Sequence, residues 1–216
     1  MPWADRAERV VGIEQEPAML AVAQQDSTAS NIEFRQGVAQ ATGLPADSAD
    51  VVTCVQAFHW MEPTSTLAEV SRILRPGGVF AAVDYEMPAM DGEVEAADLR
   101  FLQTVRRLLR EHGIDDSAGD RRFWPKAGHL EALRRSGDFR YAREVFLHGV
   151  ERGSAARLVE KAMELAGAPW GALDALRARG VTDEQLALTE FRAVAQRVLG
   201  DGCRWFVGYT VRLGIK

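Results

Sequence analysis

Cysteine is scarce in this chain: Cys54 and Cys203 are the only two in 216 residues. Their separation fits neither a metal-binding spacing nor a disulfide framework. Cys54 stands in an apolar run and reads as a buried thiol. Histidine is equally dispersed: His59, His112, His129 and His148 show no zinc-ligand spacing, so no metal is expected. The chain also lacks an apolar stretch long enough to cross a membrane, and its N-terminus lacks a signal-peptide run. No membrane association and a cytoplasmic location are therefore the expectation. Positive charge is in deficit, with 26 Lys and Arg against 31 Asp and Glu and a net charge of -5. That balance disfavours a nonspecific nucleic-acid surface, and no nucleic-acid partner is expected. Repeats and low-complexity tracts are absent. At 47% hydrophobic and 26% charged residues, the composition is that of an ordinary globular chain, read as a single domain over 1–216.

Glycine is missing where it would matter most. Arg9-Val10-Val11-Gly12-Ile13-Glu14 is a short β-branched run ending in a carboxylate, and Pro17, Met19, Leu20 and Val22 begin a helical pattern directly after it. Strand, acid and helix in that order suit the second strand of a nucleotide-binding half-domain, where the acid accepts hydrogen bonds from two ribose hydroxyls. The glycine-rich turn of such a unit belongs about 20 residues earlier. Only thirteen residues precede Glu14, and their one glycine, Gly12, lies inside the strand.

Further strands are expected at Asn31 to Gln36, Asp50 to Val55 and Gly78 to Tyr85. Leu67, Val70, Ser71 and Leu74 repeat at helical spacing, with Thr64 as the expected N-cap after Pro63. Pro76-Gly77-Gly78 is expected to end that helix and turn the chain. Short β-rich runs alternating with helices predict a mostly parallel α/β sheet covered on both faces. Ligands of such sheets gather at the carboxyl ends of the strands. Here those ends are Glu14-Gln15, Gly37 to Gln40, Gln56 to Trp60 and Asp84-Tyr85-Glu86. A purely structural sheet would produce much of the same pattern.

These residues together resemble the class I S-adenosylmethionine-dependent methyltransferases, specifically the small-molecule group called methyltransferase type 11. Val10 to Glu14 through Leu20 resembles the family's second strand and following helix. Gly37-Val38-Ala39-Gln40-Ala41-Thr42-Gly43-Leu44-Pro45 with Ser48-Ala49-Asp50-Val51-Val52 resembles its next block. Gln56-Ala57-Phe58-His59-Trp60 and Ile73-Leu74-Arg75-Pro76-Gly77-Gly78 complete the series. The resemblance implies a Rossmann-like sheet, S-adenosylmethionine as cofactor and a small-molecule acceptor. It places Glu14 on the cofactor ribose, Gln15 beside adenine, and Gln56 and Ala57 along the methionine moiety. Val38 stands where the family often has an acid that receives the adenine amine, which leaves adenine to backbone near Ala39 and apolar contact. Phe58, His59 and Trp60 would wall the acceptor side, with His59 as the candidate for orienting or deprotonating the acceptor. Tyr85 and Glu86 are further candidate acceptor contacts.

The family's first strand and its glycine-rich loop have no counterpart, although that strand lies centrally, between the second and fourth. Its absence would strip two apolar strands of a ladder partner. The expectation is a truncated or mis-assigned start, a rearranged core, or a homo-oligomer that compensates for the missing strand. Two rival readings stand beside the methyltransferase. One is a noncatalytic or truncated methyltransferase-like protein with an incomplete cofactor site, and the other is an NAD-dependent oxidoreductase, which also uses an acid after its second strand.

Beyond Tyr85 the chain is expected to elaborate the sheet with helices, at 88–136 and 149–199, acting as insertions or a lid. Val94, Leu99, Leu102, Val105, Leu108 and Leu109 build an apolar face over Glu93 to His112. Arg121-Arg122-Phe123-Trp124 sets cations beside aromatics. It reads either as a lid in which Arg121, Arg122 and Trp124 meet an anionic acceptor, or as an anchor with its aromatics buried and its arginines wet. A strand over 139–148, a helix from a Thr182/Gln185 capping box to Leu199, and a closing strand from Arg204 to Leu213 complete the expectation. Trp170, Trp205 and Phe206 read as packing residues.

Overall fold

A computed structural model describes residues 4–88, 90, 92–114, 124–167 and 171–216. Strand β1 (Val10–Glu14) pairs in parallel with β2 (Ile32–Gln36), from Val10 opposite Ile32 to Glu14 opposite Gln36. Helix α1 (Pro17–Asp26) links them, and all ten of its residues stay outside the core. A second sheet begins with β3 (Ala49–Val55), which pairs in parallel with β4 (Leu74–Tyr85) through α2 (Pro63–Ile73). Its strand order is β3-β4-β6-β5, with β5 at Tyr141–Gly153 and β6 at Cys203–Ile215. Strand β6 runs against β4: Lys216 exchanges backbone bonds with Gly77 and Gly78, and Gly208 accepts from Glu86. Parallel pairing is thus observed in both sheets, as the alternating pattern predicts. Among the described residues the parallel strands form two separate ladders, leaving β1 and β3 each with one edge that has no ladder partner.

Local chemistry moves several boundaries from their expected places. The α2 cap is Glu62, not Thr64: the Glu62 carboxylate accepts from the backbone N–H of Thr64 and Ser65. A carboxylate one residue before Pro63 reaches two orphan donors at once and complements the helix dipole, which a threonine inside the first turn cannot do. The ladder of β4 starts at Leu74, four residues before the expected Gly78. Ala49 faces Leu74 and Val51 faces Val79, so the Pro76-Gly77-Gly78 turn is accommodated as a bulge within the strand. Gly77 has φ +83, and a Cβ on Gly78 would lie 2.9 Å from the Arg75 carbonyl oxygen, so both glycines are required there.

Each end of the Thr182/Gln185 box is hydrogen-bonded as expected, but the box closes a turn and does not begin the helix. Ala187 adopts φ +60, and helix α7 (Leu188–Leu199) starts after it. Strand β5 runs five residues beyond its expected end, into the segment expected to be helical insertion. In helix α3 (Gly92–Glu111), the buried face uses Val94, Ala97, Phe101, Val105, Leu108 and Leu109. Leu99 was expected on that face but is 48% exposed, because a step of five residues from Val94 rotates it away.

The chain divides into two compact units. The first comprises Met1–Asp84, Phe123–Val145 and Val211–Lys216. Its core gathers Phe58, Leu67, Val70, Leu74, Phe80, Ala82, Leu133 and Phe139, the last two from or just beyond α4 (His129–Ser136). Phe58 meets Phe80 edge-on at 5.4 Å, a geometry favoured by the ring quadrupoles. Cys54, expected to be buried, is partly buried against this core, and desolvation pushes its thiol up to about 12.

The second unit comprises Tyr85–Arg122 and Phe146–Thr210. Helices α3, α5 (Ala155–Leu165), α6 (Ala172–Arg177) and α7 build its core with Trp205 and Val207. Gly153 is needed there because a Cβ would fall 2.2 Å from the Trp205 ring. Trp205 is a packing residue, as expected, whereas Phe206 is 57% exposed. Trp170, also expected to pack, lies outside the described residues.

Candidate functional site

The carboxyl end of β3 carries the first unusual geometry. Gln56 has φ +50, a left-handed conformation that costs a side-chain-bearing residue on the order of 1–2 kcal/mol. It is held there from two sides. Its backbone N–H donates to the Val83 carbonyl at 2.9 Å, and its side-chain oxygen accepts from the Lys126 ammonium. A 3-10 turn (Phe58–Trp60) follows, burying Phe58 and His59. The Met61 N–H closes the turn onto the Phe58 oxygen at 3.1 Å, and further donors come from Trp124. Its indole N–H lies 3.1 Å from the Phe58 oxygen and 2.9 Å from the Met61 oxygen, and its backbone N–H donates to the His59 oxygen at 3.0 Å.

Asp84, near the end of β4, is the centre of the site. Its carboxylate is 5% exposed and accepts a hydrogen bond at Oδ2 from Arg212, itself 7% exposed. Arg212 donates its Nε to Glu144 at 2.6 Å. Lys126 Nζ lies 3.4 Å from Asp84 Oδ1, and His59 Nδ1 lies 3.8 Å from the same oxygen. His129 Nδ1 is 3.2 Å from Oδ2. His129 is fully buried between Trp124 and Phe58, at ring separations of 4.5 and 4.9 Å, and stacks at 6.2 Å on His59.

Burial drives the protonation of both imidazoles. Desolvation lowers the pKa of His59; the Lys126 charge lowers it further, and Asp84 opposes both. Desolvation brings His129 down to about 4 against the pull of Asp84, aided by the charges of Arg212, His59 and Lys126. Near neutral pH both rings are therefore uncharged, while Arg212 and Lys126 balance Asp84 and Glu144. Among the described residues, Nδ1 of His59 and both ring nitrogens of His129 are buried without a hydrogen-bond partner. Such orphaned atoms are uncommon in packed interiors, and here they lie beside the Asp84 carboxylate. A neutral imidazole beside a carboxylate can accept a proton, and the fixed cations can offset charge that develops nearby.

The expected site residues fall into distinct groups. Gln56, Ala57, Phe58 and His59 gather with Asp84, while Trp60 turns outward at 40% exposure. Trp124 joins them as the group that ties down their turn. Glu14 and Gln15 end the other ladder, where one Glu14 oxygen accepts the Glu16 N–H at 2.9 Å. Val38 is exposed and forms an isolated bridge with Ala41, leaving Ala39 partly covered between them. Tyr85 and Glu86 belong to the second unit: Tyr85 lies 6.5 Å from the Tyr209 ring, and Lys161 sits over it at 5.2 Å. Arg121 and Arg122 lie outside the described residues. From sequence Asp84 was named only as part of a strand end, and Lys126, His129 and Arg212 were given no site role. The available signal was a carboxylate and an arginine placed inside otherwise apolar strands, since Asp84 and Arg212 occupy core-facing positions.

Comparison with known proteins finds relatives for part of the chain. Residues 1–82 match the family model described as a methyltransferase domain. Over those residues the chain is homologous to methyltransferase domains. The uncharacterized methyltransferase YcgJ of Bacillus subtilis (strain 168) is 32% identical over 92 residues, covering 41% of this chain and 36% of YcgJ. The demethylmenaquinone methyltransferase of Lactococcus lactis is 30% identical over 153 residues, covering 65% of this chain and 59% of that relative. Among solved structures, a protein from Anaeromyxobacter dehalogenans named as a type II methyltransferase superposes with a TM-score of 0.65 at 27% identity. That match covers 98% of this chain and 82% of the other. The chain spans about a third of the length of YcgJ. The methyltransferase fold is therefore present, with its parallel sheet split between β1 and β3.

Proposed function

We propose that this methyltransferase-like chain transfers the methyl group of S-adenosylmethionine to a small-molecule acceptor, working as a cytoplasmic protein. The observation that carries the proposal is the methyltransferase match over residues 1–82 combined with Glu14 and Gln56 at the carboxyl ends of parallel strands. The residues present fit much of the cofactor. Glu14 offers a carboxylate steadied by the Glu16 N–H, as a ribose diol needs, with Gln15 beside adenine. Position 38 offers no side-chain acceptor, so backbone near Ala39 would serve the adenine. Gln56 and Ala57 would border the methionine moiety.

Bound there, the cofactor would supply an electrophilic methyl group, so no protein nucleophile is required. The protein's part is positioning and proton management. His59 would orient the acceptor or take its proton, with Asp84 steadying the resulting imidazolium. Phe58 and Trp60 would line the acceptor side, and Trp124 keeps their turn in place. Tyr85 and Glu86, with Arg121 and Arg122, are the remaining candidate acceptor contacts.

The experiment is calorimetry with S-adenosylmethionine and NAD, on this chain and on a form extended by whatever in-frame sequence lies upstream. The extended form is expected to bind S-adenosylmethionine in preference to NAD. Glu14→Ala is expected to weaken binding by about 1.5–3 kcal/mol, the usual value of a hydrogen bond to a charged group. Equal cofactor affinity of the extended protein and its Glu14→Ala variant would remove Glu14 from the ribose. Preference for NAD would instead favour an oxidoreductase. The open edges of β1 and β3 favour a second reading, in which these residues alone make an incomplete site. It predicts undetectable binding by the chain as given.

A further inference from the structure

We propose that β5 is a dimerisation strand, whose outer edge pairs antiparallel with the same strand of a second copy about a twofold axis through His148. Strand β5 ends the sheet order, so its far edge has no ladder partner among the described residues. Its middle is also the most exposed apolar strand segment of the described chain. Phe146 is 73% exposed, Leu147 54% and Val150 45%, with Phe206 beside His148 at 57%. Phe146 and Leu147 are consecutive, so they project from opposite faces of the sheet. A helix laid on one face covers only one of them, whereas a strand added at the edge brings neighbours to both.

Edge strands that stay unpaired in solution usually carry a charge, a proline or a disruptive bulge where pairing would occur. The segment Val145-Phe146-Leu147-His148-Gly149-Val150 carries neither charge nor proline. The sequence also selects the register. A twofold axis normal to the sheet sets residues of like parity opposite one another. With the axis at His148, Phe146 faces Val150, and Arg152 faces Glu144, whose carboxylate is shared with Arg212. That arrangement covers the two exposed apolar side chains of one face and pairs opposite charges. Moving the axis to Gly149 sets Phe146 against Arg152, and moving it to Leu147 sets Glu144 against Val150. Neither alternative satisfies both the apolar and the charged positions. The occupant most complementary to this edge is the strand itself, in an isologous pair.

The test joins mass in solution to site-directed crosslinking of the full chain. Light scattering at micromolar concentration is expected to give twice the chain mass. Residues facing each other across an antiparallel pair have Cα atoms about 4.5 or 5.5 Å apart, within disulfide range. His148→Cys is therefore expected to form a disulfide-linked dimer on oxidation. Phe146→Cys alone should not, but mixed with Val150→Cys it should give the crossed dimer. The unsubstituted chain, with Cys54 and Cys203, serves as the uncrosslinked control. Val150→Lys is expected to raise the dissociation constant at least tenfold while leaving the circular dichroism spectrum unchanged. A monomer at 100-fold higher concentration would overturn the proposal. So would a dimer that crosslinks through Phe206→Cys and not His148→Cys, since that would be packing of faces.

Discussion

Replacing Arg212 by methionine tests how Asp84 and His129 are held, because the prediction concerns both stability and a single proton. Asp84 and Arg212 are almost fully buried and hydrogen-bonded to each other. Removing the cation leaves Asp84 facing two neutral imidazoles and Lys126, whose side chain is 40% exposed and therefore a weaker partner. Breaking a buried pair from one side costs about 3–5 kcal/mol. Methionine follows most of the arginine stem, so lost packing adds little. The same change removes a positive charge that lowers the pKa of His129. His129 should accordingly titrate higher in the variant.

The two effects have opposite pH dependence. In the parent, His129 titrates near about 4 when folded and near its ordinary 6.5 when unfolded. The unfolded chain therefore binds the proton first. Stability is full above pH 6.5 and falls between pH 6.5 and 4, by on the order of 3 kcal/mol from this residue. In Arg212→Met that fall shrinks, so the variant is less stable at pH 8 but its curve approaches the parent's as pH drops toward 4. Glu62 and Glu69, both held at about 2, begin to lose their contributions below about pH 4.5, at the low edge of this window and equally in both proteins. Denaturant unfolding at several pH values gives the difference curve. Proton resonances give the titration, and with only four histidines in the chain the assignment is tractable. An unchanged His129 midpoint together with parallel stability curves would refute the coupling.

Other outcomes follow from single contacts. Gly153→Ala drives a Cβ to 2.2 Å from the Trp205 ring and should destabilise the protein by about 1–3 kcal/mol in denaturant unfolding. Ala187→Gly removes a side chain from a φ +60 position and should raise stability by about 0.5–1 kcal/mol, after the extra chain entropy of glycine is counted. Trp124→Phe keeps the ring but removes the donor to the Phe58 and Met61 carbonyls. It should cost about 1–3 kcal/mol and speed amide exchange in residues 58–61, and unchanged exchange there would contradict its anchoring role. Phe80→Ala should cost about 3–5 kcal/mol from the first unit's core, read from the same unfolding curves.

Part of this molecule is written locally. The β-branched run into Glu14, the turn at Pro76-Gly77-Gly78 and the alternation of strands with helices each depend on a few neighbouring residues. The parallel pairs and the ligand-side strand ends are therefore legible before any coordinates. Boundaries are less so, because they depend on competing local bonds. Glu62 out-competes Thr64 as a cap, and Ala187 interrupts a helix that its capping box announces.

The centre of the candidate site is of another kind. Asp84, Lys126, His129 and Arg212 come from separate elements, and nothing in their immediate sequence distinguishes His129 from His112 or His148. What separates them is burial: His129 loses its water between Phe58 and Trp124, close to a carboxylate and two cations, and its proton affinity changes accordingly. Sequence by itself determined which strands are parallel and which residues end them, because short-range patterning encodes periodicity and turns. Only the tertiary structure decided which charges share a desolvated space, because desolvation depends on the atoms that fold over a group and not on those beside it in the chain.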